Sequence, residues 1–374
     1  MKKHKRSTFS GKLGFVLSAA GASVGLGNIW RFPYLAAKYG GGTFLLTYLI
    51  LTLTFGFSLM ITEVALGRKA GTSAIRAFGH FSKKHTFIGY LTTIIPFIIF
   101  PYYCVIGGWV TKYALVSLQG GIHNAASDTF FTGFISKSAE PMICVLVFLI
   151  ATTVVVAGGV KGGVERVSTI MMPVLIVLLI GVSLFCITRP GAMAGVAYYL
   201  KPSLKGFGPT TILAALGQLF YSMSLAMGIM ITFGSYMPKK ADLEKSVTQV
   251  EIFDTGVAFL AGLMIVPAVF VFSNGDSSML AKGPSLMFVM LPKVFDSMAF
   301  SSVIAAVFFI LVLLAALTSS ISLLETLVAV LMDKFHMKRG TACITMFIIA
   351  LLLAVPSSLG FGAWSNITIL GFDF

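Results

Sequence analysis

Long apolar runs separated by short polar stretches fill this sequence. Nine of them approach or exceed the length of a membrane span, at 13–37, 43–66, 87–115, 141–157, 166–188, 209–236, 249–273, 299–332 and 340–356. A helix needs about 20 mainly apolar residues to cross a hydrocarbon core about 30 Å thick. The period-two alternation of a membrane barrel is absent, so the pattern predicts an all-α, polytopic membrane protein. Two runs depart from a plain apolar helix. The first, FVLSAAGASVGLGNIWRFP (15–33), sets Gly21, Ser23, Gly25, Gly27 and Asn28 at mid-membrane depth. The sixth, LGQLFYSMSLAMGIMITFGSY (216–236), does the same with Ser222, Ser224 and Gly228.

Irregular backbone at that depth is tolerated only where protein buries it or a polar cavity needs it. Interruptions at matching places in two halves point to a transporter's substrate site. The halves are spans 1–5 and 6–10; each holds an odd number of spans, so their topologies are inverted, and the tenth span is missing. The chain therefore reads as one transmembrane domain, 1–374. Residues 1–188 form the first repeat and 209–374 an incomplete second. Close helix packing at small residues is the competing explanation. It accounts for Gly21 and Gly25, but not for Asn28 and Arg31 just beyond them or for the hydroxyls of the sixth run.

Composition agrees. Hydrophobic residues make up 57% of the chain and charged residues 11%, with mean hydropathy +0.95; a soluble domain carries about 25% charged residues. The net charge of +14 suggests a polyanion partner until it is mapped. Segments 1–12, 67–86, 158–166, 237–248 and 333–340 hold 18 of the 27 Lys and Arg. This is the positive-inside bias, which predicts a multi-pass protein of the cell membrane with a cytoplasmic N-terminus and no nucleic-acid partner. A basic start followed by an apolar run also fits a signal peptide, but the Gly and Asn interruption and the eight later spans favour a retained first span. Cys104, Cys144, Cys186 and Cys343 lie in apolar runs without metal-ligand spacing and read as packing residues. GASVGLGN lacks the last Gly of a dinucleotide fingerprint and the Lys of a phosphate loop. No nucleophile–base pair or ring-forming filter recurs, which sets enzyme and channel aside.

An unwound helix frees carbonyls that suit a small hard cation, and half-helix amides that suit a carboxylate. An amino-acid zwitterion with Na⁺ is the natural guest, with Asn28 and Ser222 adding oxygens and no organic cofactor. In the eighth run, AALTSSIS (315–322) offers Thr318 and Ser319 as ion ligands, although each could bond its own helix instead. Three carboxylates lie clearly inside runs: Glu63, Asp254 and Glu325. A charge there costs roughly 2.5–3.5 kcal/mol on insertion scales, so it needs a partner or cavity. Asp254 suits a cation site or proton traffic, Glu63 suits an anchor for the loosened first-span backbone, and Glu325 is ambiguous. Tyr102 and Tyr103 follow Pro101, and either could reach a substrate carboxylate or pack.

GASVGLGNIWRFPYLAAKYGGGTF (21–44) closely resembles the first-span signature of the neurotransmitter:sodium symporters. The resemblance continues through GQLFYSMSLAMG (217–228) and LTSSIS (317–322), covering essentially the whole chain. It implies a five-plus-five inverted repeat and Na⁺-driven amino-acid uptake by alternating access. One implied sodium site comprises Ser23, Asn28, Ser222 and Asp254 with the substrate carboxylate. A second comprises Gly21, Val24, Ala315, Thr318 and Ser319. Implied substrate contacts are Ser23, Gly27, Tyr103, Phe220, Ser222, Ser224 and Met227. Arg31 and Phe220 match the outer gate, and Arg6 with Asp333, near Tyr236, the inner one. GVERVSTIMMP (163–173) matches the Gly163–Pro173 spacing that lets the fifth span unwind.

The departures carry information too. The family often has Asn where this chain has Asp254; the fixed negative charge predicts chloride-independent transport. Met227 replaces a frequent aromatic, which favours a hydrophobic amino acid. Family members continue into a tenth span bearing the acidic partner of Arg31. The sequence ends at Phe374, which reads as truncation or an incomplete repeat. The alternative is thus a transporter-like sensor, or an inactive fragment that binds without translocating.

Overall fold

The computed structural model describes residues 7–203, 207–273, 285–364, 368–369 and 372–373. Helices dominate, and the nine apolar runs appear as helices or broken helices. Among the described residues, seven single helices are long and apolar enough to cross: Gly42–Ala70, Lys83–Leu118, Ala139–Ala157, Val160–Ile187, Leu243–Phe272, Ser301–Phe335 and Arg339–Leu359. The first span is a pair, Lys12–Ser23 and Gly27–Lys38, bent by 52°. The sixth is also a pair, Pro209–Ser222 and Ile229–Tyr236. At the end of the described chain, Thr368–Ile369 pairs antiparallel with Phe372–Asp373, Thr368 opposite Asp373.

Lipid and protein divide the surface of these helices. Leu53, Val154, Val177 and Leu352 face outward and are exposed, while Lys12–Ser23 and Ile229–Tyr236, one half of each broken span, are almost wholly buried. Apolar burial provides little drive between helices that already sit in lipid, so close packing and hydrogen bonds carry the association. The inner half of the sixth span meets the second span at small residues. A Cβ on Gly67 would lie 1.8 Å from the Ile231 carbonyl oxygen, and one on Gly234 would lie 2.3 Å from that of Val64. The backbones touch there, and any side chain would force them apart.

The fifth span is helical from Val160 to Ile187 and runs through Pro173. Gly163 sits in its first, π-helical turn, where a Cβ would lie 1.8 Å from the Val155 carbonyl oxygen. The motif thus marks a wound fifth span in this structure. The outer connections are folded pieces: short helices at Ile122–Ala125, Phe130–Ile135 and Ala192–Leu200, and a helical segment over 286–296. The last of these caps the third span. Phe288 stacks on Phe131 at 5.1 Å, and its carbonyl accepts from the Tyr113 hydroxyl at 2.6 Å.

On the inner face, that of residues 7–12 and the basic connections, aromatic and hydrogen-bond contacts gather around Phe9 and Ser10. Phe9 is buried edge-on against Phe15, Phe233 and Tyr236, and its amide donates to the Tyr236 carbonyl at 2.9 Å. The Ser10 amide donates to the Glu165 carboxylate at 3.0 Å. Together these contacts pin the start of the first span to the fifth and sixth.

Candidate functional site

The first span breaks at Val24, whose φ of −72° and ψ of 109° leave the helix, and resumes as a π-helical turn at Gly27–Arg31. The break lies against other elements with no room to spare. A Cβ on Gly25 would be 2.4 Å from Ser319 Oγ, and one on Gly27 would be 2.8 Å from the Tyr221 ring. The sixth-span break runs from Met223 to Gly228, with Ser224, Ala226 and Gly228 all at positive φ. For Ser and Ala this is an uncommon conformation, and such strain collects at functional sites.

Asn28 joins the two breaks. Its Oδ1 accepts from the Gly25 amide at 3.0 Å. Its Nδ2 donates to Ser222 Oγ at 3.0 Å and to Asp254 Oδ1 at 2.7 Å. Ser222 Oγ lies 2.9 and 3.0 Å from the two Asp254 carboxylate oxygens, and Tyr48 donates to Oδ2 at 3.3 Å. Asn28 and Asp254 are fully buried. The knot therefore holds a carboxylate side chain away from water, surrounded by neutral donors and with no positive side chain bonded to it among the described residues. Ser23 stands beside it, its hydroxyl on the Ala19 carbonyl.

The second group of oxygens lies where the first-span break meets the eighth span. Ser319 Oγ donates to the Val24 carbonyl at 3.0 Å and lies 3.5 Å from those of Gly21 and Ala22. Thr318 bonds its own helix, at 3.1 Å to both Leu314 and Ala315. The two neighbouring hydroxyls therefore differ: one crosses to the broken span and the other closes on itself. Gly21, Val24, Ala315, Thr318 and Ser319 nonetheless share this corner of the structure.

Between the breaks is a cavity of about 30 Å³ lined by Ser23, Gly27, Tyr103, Ser222, Ser224 and Met227, together with Tyr221. The Tyr103 hydroxyl accepts from the Leu26 amide at 3.4 Å, at the start of the outer half-helix. Beyond Tyr221 and Met227 opens a vestibule of about 620 Å³ lined by Arg31, Tyr102 and Phe220. Phe220 is therefore placed beside Arg31 in the vestibule and not in the inner cavity. The paired tyrosines divide, Tyr103 inward and Tyr102 outward. A helix turns 100° per residue, so neighbours cannot share one face.

The expectation for Glu63 needs correction. Glu63 does not anchor the first span: its Oε1 accepts from the Ala226 amide at 2.7 Å, holding the break of the sixth. The close packing of Gly67 on Ile231 brings the second span alongside the sixth at that level. Arg31 has partners of its own among the described residues. It donates to Gln218 Oε1 at 3.1 Å and to the Gly217 carbonyl at 3.3 Å, and its guanidinium lies 5.2 Å from the Tyr221 ring centre. Gln218 in turn donates to the Gly27 carbonyl at 3.0 Å. Gln218, Tyr48 and Tyr221 are site residues that sequence reasoning missed. Gln218 was findable, because it precedes Ser222 by one helical turn.

At the inner end, Tyr236 donates to Glu325 at 2.7 Å; Glu325 pairs with Arg339, whose Nε reaches the Val156 carbonyl at 2.8 Å. This resolves Glu325 as an inner tie between the sixth and ninth spans. Asp333 accepts from the Ser73 amide at 2.7 Å; its expected partner Arg6 lies outside the described residues.

Comparison with known proteins accords with this geometry. The profile of the sodium:neurotransmitter symporter family matches residues 6–133 and 131–364. The chain belongs to that family. An uncharacterized sodium-dependent transporter of Bacillus subtilis is 35% identical over all of this chain and 83% of its own length. The human sodium- and chloride-dependent GABA transporter 2 is 28% identical over 88% of this chain and 62% of its own length. Among solved structures, MhsT in complex with L-phenylalanine matches with a TM-score of 0.90 at 39% identity, over 99% of this chain and 84% of that one. Membership of the sodium:neurotransmitter symporters makes this a multi-pass membrane transporter and not an enzyme.

Proposed function

We propose that this member of the family is a sodium-coupled symporter of a small hydrophobic amino acid, independent of chloride. It would sit in the cell membrane with its N-terminus cytoplasmic, and its two halves, 1–188 and 209–374, would rock as inverted repeats. The observation that carries the reading is the Asn28 bridge, which ties both broken spans to a buried, uncompensated carboxylate. A buried charge without a counter-charge is costly, and a small cation seated among Ser23, Asn28, Ser222 and Asp254 offsets it.

Donor chemistry supports two sodium positions. All candidate ligands are hydroxyl, amide, carboxylate or backbone oxygens, as hard cations prefer. Gly21, Val24, Ala315, Thr318 and Ser319 would make the second position, once the Ser319 hydroxyl hydrogen turns away from the Val24 carbonyl; Thr318, whose hydrogen points to its own helix, keeps its lone pairs for an ion. A substrate carboxylate would complete the first position, near the Leu26 amide and the Tyr103 hydroxyl. Its side chain would enter between Met227 and Tyr221. At about 30 Å³ the cavity admits little more than a water molecule, so Met227 and Tyr221 must swing outward to receive it. Met227 is unbranched and adaptable, and the phenylalanine complex of the 39% identical MhsT supports an apolar guest. With Phe9 packed at the inner face and a vestibule beyond Arg31, this reading makes the structure outward-facing, Gly163–Pro173 being the hinge that unwinds later and Arg6 with Asp333 part of the inner closure.

The test is uptake by reconstituted vesicles. An inward Na⁺ gradient should drive accumulation of labelled Leu or Phe, unaffected by replacing chloride with gluconate and abolished by collapsing the gradient. Thr318→Val, which keeps shape and removes one oxygen, should lower apparent sodium affinity about tenfold, as loss of a hydrogen-bond-strength contact would. Binding without accumulation would favour the sensor alternative. Unchanged sodium dependence in Thr318→Val would remove the second site.

A further inference from the structure

The connection between the second and third spans is not a plain loop. Helix Ala74–Phe81 buries Ala74, Ile75 and Ala77 and turns Arg76 and His80 outward. It lies against the inner ends of the third and eighth spans and encloses with them a cleft of about 420 Å³. The cleft is lined by Thr72, Arg76, His80, Thr86 and Lys334, with no carboxylate among its lining residues. The Asp333 carboxylate, next in sequence to Lys334, is engaged by the Ser73 amide. Arg76 Nη2 lies 3.2 Å from His336 Nε2. The Thr72 hydroxyl is buried without a hydrogen-bond partner among the described residues, so it is available as a further donor.

The surroundings identify the depth of this cleft. Phe81, Phe87 and Tyr90 are exposed on the helix and on the adjoining start of the third span. Lys334 Nζ lies 5.4 Å from the Tyr90 ring centre, and Lys69 Nζ 5.7 Å from that of Phe81. Exposed aromatics beside cations are the pattern of a membrane–water interface. Basic pockets at that level bind lipid headgroups.

We propose that this cleft is a binding site for the phosphate of an anionic phospholipid, with Arg76 and Lys334 as its charged ligands and Thr72 as a hydroxyl donor. The acyl chains would lie along the exposed faces of Phe87 and Tyr90. A planar guanidinium suits paired phosphate oxygens, and the ammonium adds a point charge. A soluble phosphate offers the same headgroup chemistry but gains nothing from the apolar flank, so the occupant is the lipid. The cleft lies apart from the substrate and ion positions and does not depend on their assignment.

Native mass spectrometry of the full chain, titrated with phosphatidylglycerol or phosphatidylcholine, tests it. The parent should retain phosphatidylglycerol preferentially. A direct ion pair with the phosphate at a solvent-facing site is worth up to about fivefold, so Arg76→Gln with Lys334→Gln should cut that preference roughly 25-fold. Lys161→Gln with Lys240→Gln removes the same charge elsewhere on the inner face and should leave the preference within about twofold, since neither lines the cleft. Arg76→Lys with Lys334→Arg, which keeps both charges, should retain most of it. If the double Gln variant does not fold, either single substitution should still show about a fivefold loss. An undiminished preference in the Gln variants, or an equal loss in the Lys161/Lys240 control, overturns the site. Displacement of phosphatidylglycerol by millimolar inorganic phosphate overturns the lipid as occupant.

Discussion

Replacing Asp254 by Asn changes one atom and removes the buried charge at the centre of the site. The structure indicates that the shape survives. The oxygen of the introduced carboxamide can still accept from Asn28 Nδ2 where Oδ1 does at 2.7 Å, and its NH₂ group can face the hydroxyls of Ser222 and Tyr48, which accept as well as donate. What is lost is attraction for a cation. Two unit charges about 4 Å apart in a site of effective dielectric about 20 attract by about 4 kcal/mol. The donors already on the carboxylate disperse part of its charge, and a discount of about half leaves about 2 kcal/mol, roughly 30-fold in affinity. Sodium-dependent thermal stabilisation of the purified protein, titrated in gluconate, reads this directly. Half-saturation should rise about 30-fold in Asp254→Asn, and added chloride should recover part of it, because a diffusible anion can then supply the missing charge. A sodium half-saturation within about twofold of the parent's, with no response to chloride, would refute the reasoning.

Two further outcomes follow from the packing. In Gly25→Ala the new methyl would meet Ser319 Oγ at 2.4 Å and the Tyr103 hydroxyl at 3.1 Å; the serine must rotate away from the Val24 carbonyl, so sodium-dependent binding should fall at least tenfold, by about 1.4 kcal/mol or more, and overpacking should lower the sodium-free melting temperature as well, by about 1–3 kcal/mol of stability. In Arg339→Met the buried Glu325 loses its counter-charge, keeping only the Tyr236 hydroxyl among the partners described; stability should drop by about 3–5 kcal/mol, and adding Glu325→Gln should restore much of it, as followed by thermal unfolding in detergent.

The sequence by itself determined the class of this protein and the places where it is unusual. Apolar length and the placement of basic residues are one-dimensional properties, read out by a solvent that is itself layered, so the spans followed from counting. The two breaks were legible for the same reason: Gly and polar residues at mid-membrane depth have few physical explanations. Asn28, Ser222 and Asp254 could be nominated individually, because a polar group in hydrocarbon must have a reason to be there.

Only the tertiary structure decided which of these groups meet. Glu63 holds the sixth span because Gly67 and Gly234 let two backbones touch, a contact that neither sequence segment announces alone. Tyr103 and Tyr102 look equivalent in the chain, yet one faces the first-span break and the other the vestibule. Arg31 is held by Gln218 and the Tyr221 ring because the outer halves of the first and sixth spans lie side by side, within reach of a guanidinium. The amphipathic helix Ala74–Phe81 was hidden in a stretch that read only as a basic loop, since its cleft exists only against the distant Lys334. Hydropathy records what each residue wants from its surroundings; helix packing, fixed by a few glycines and buried hydrogen bonds, decides which neighbour supplies it.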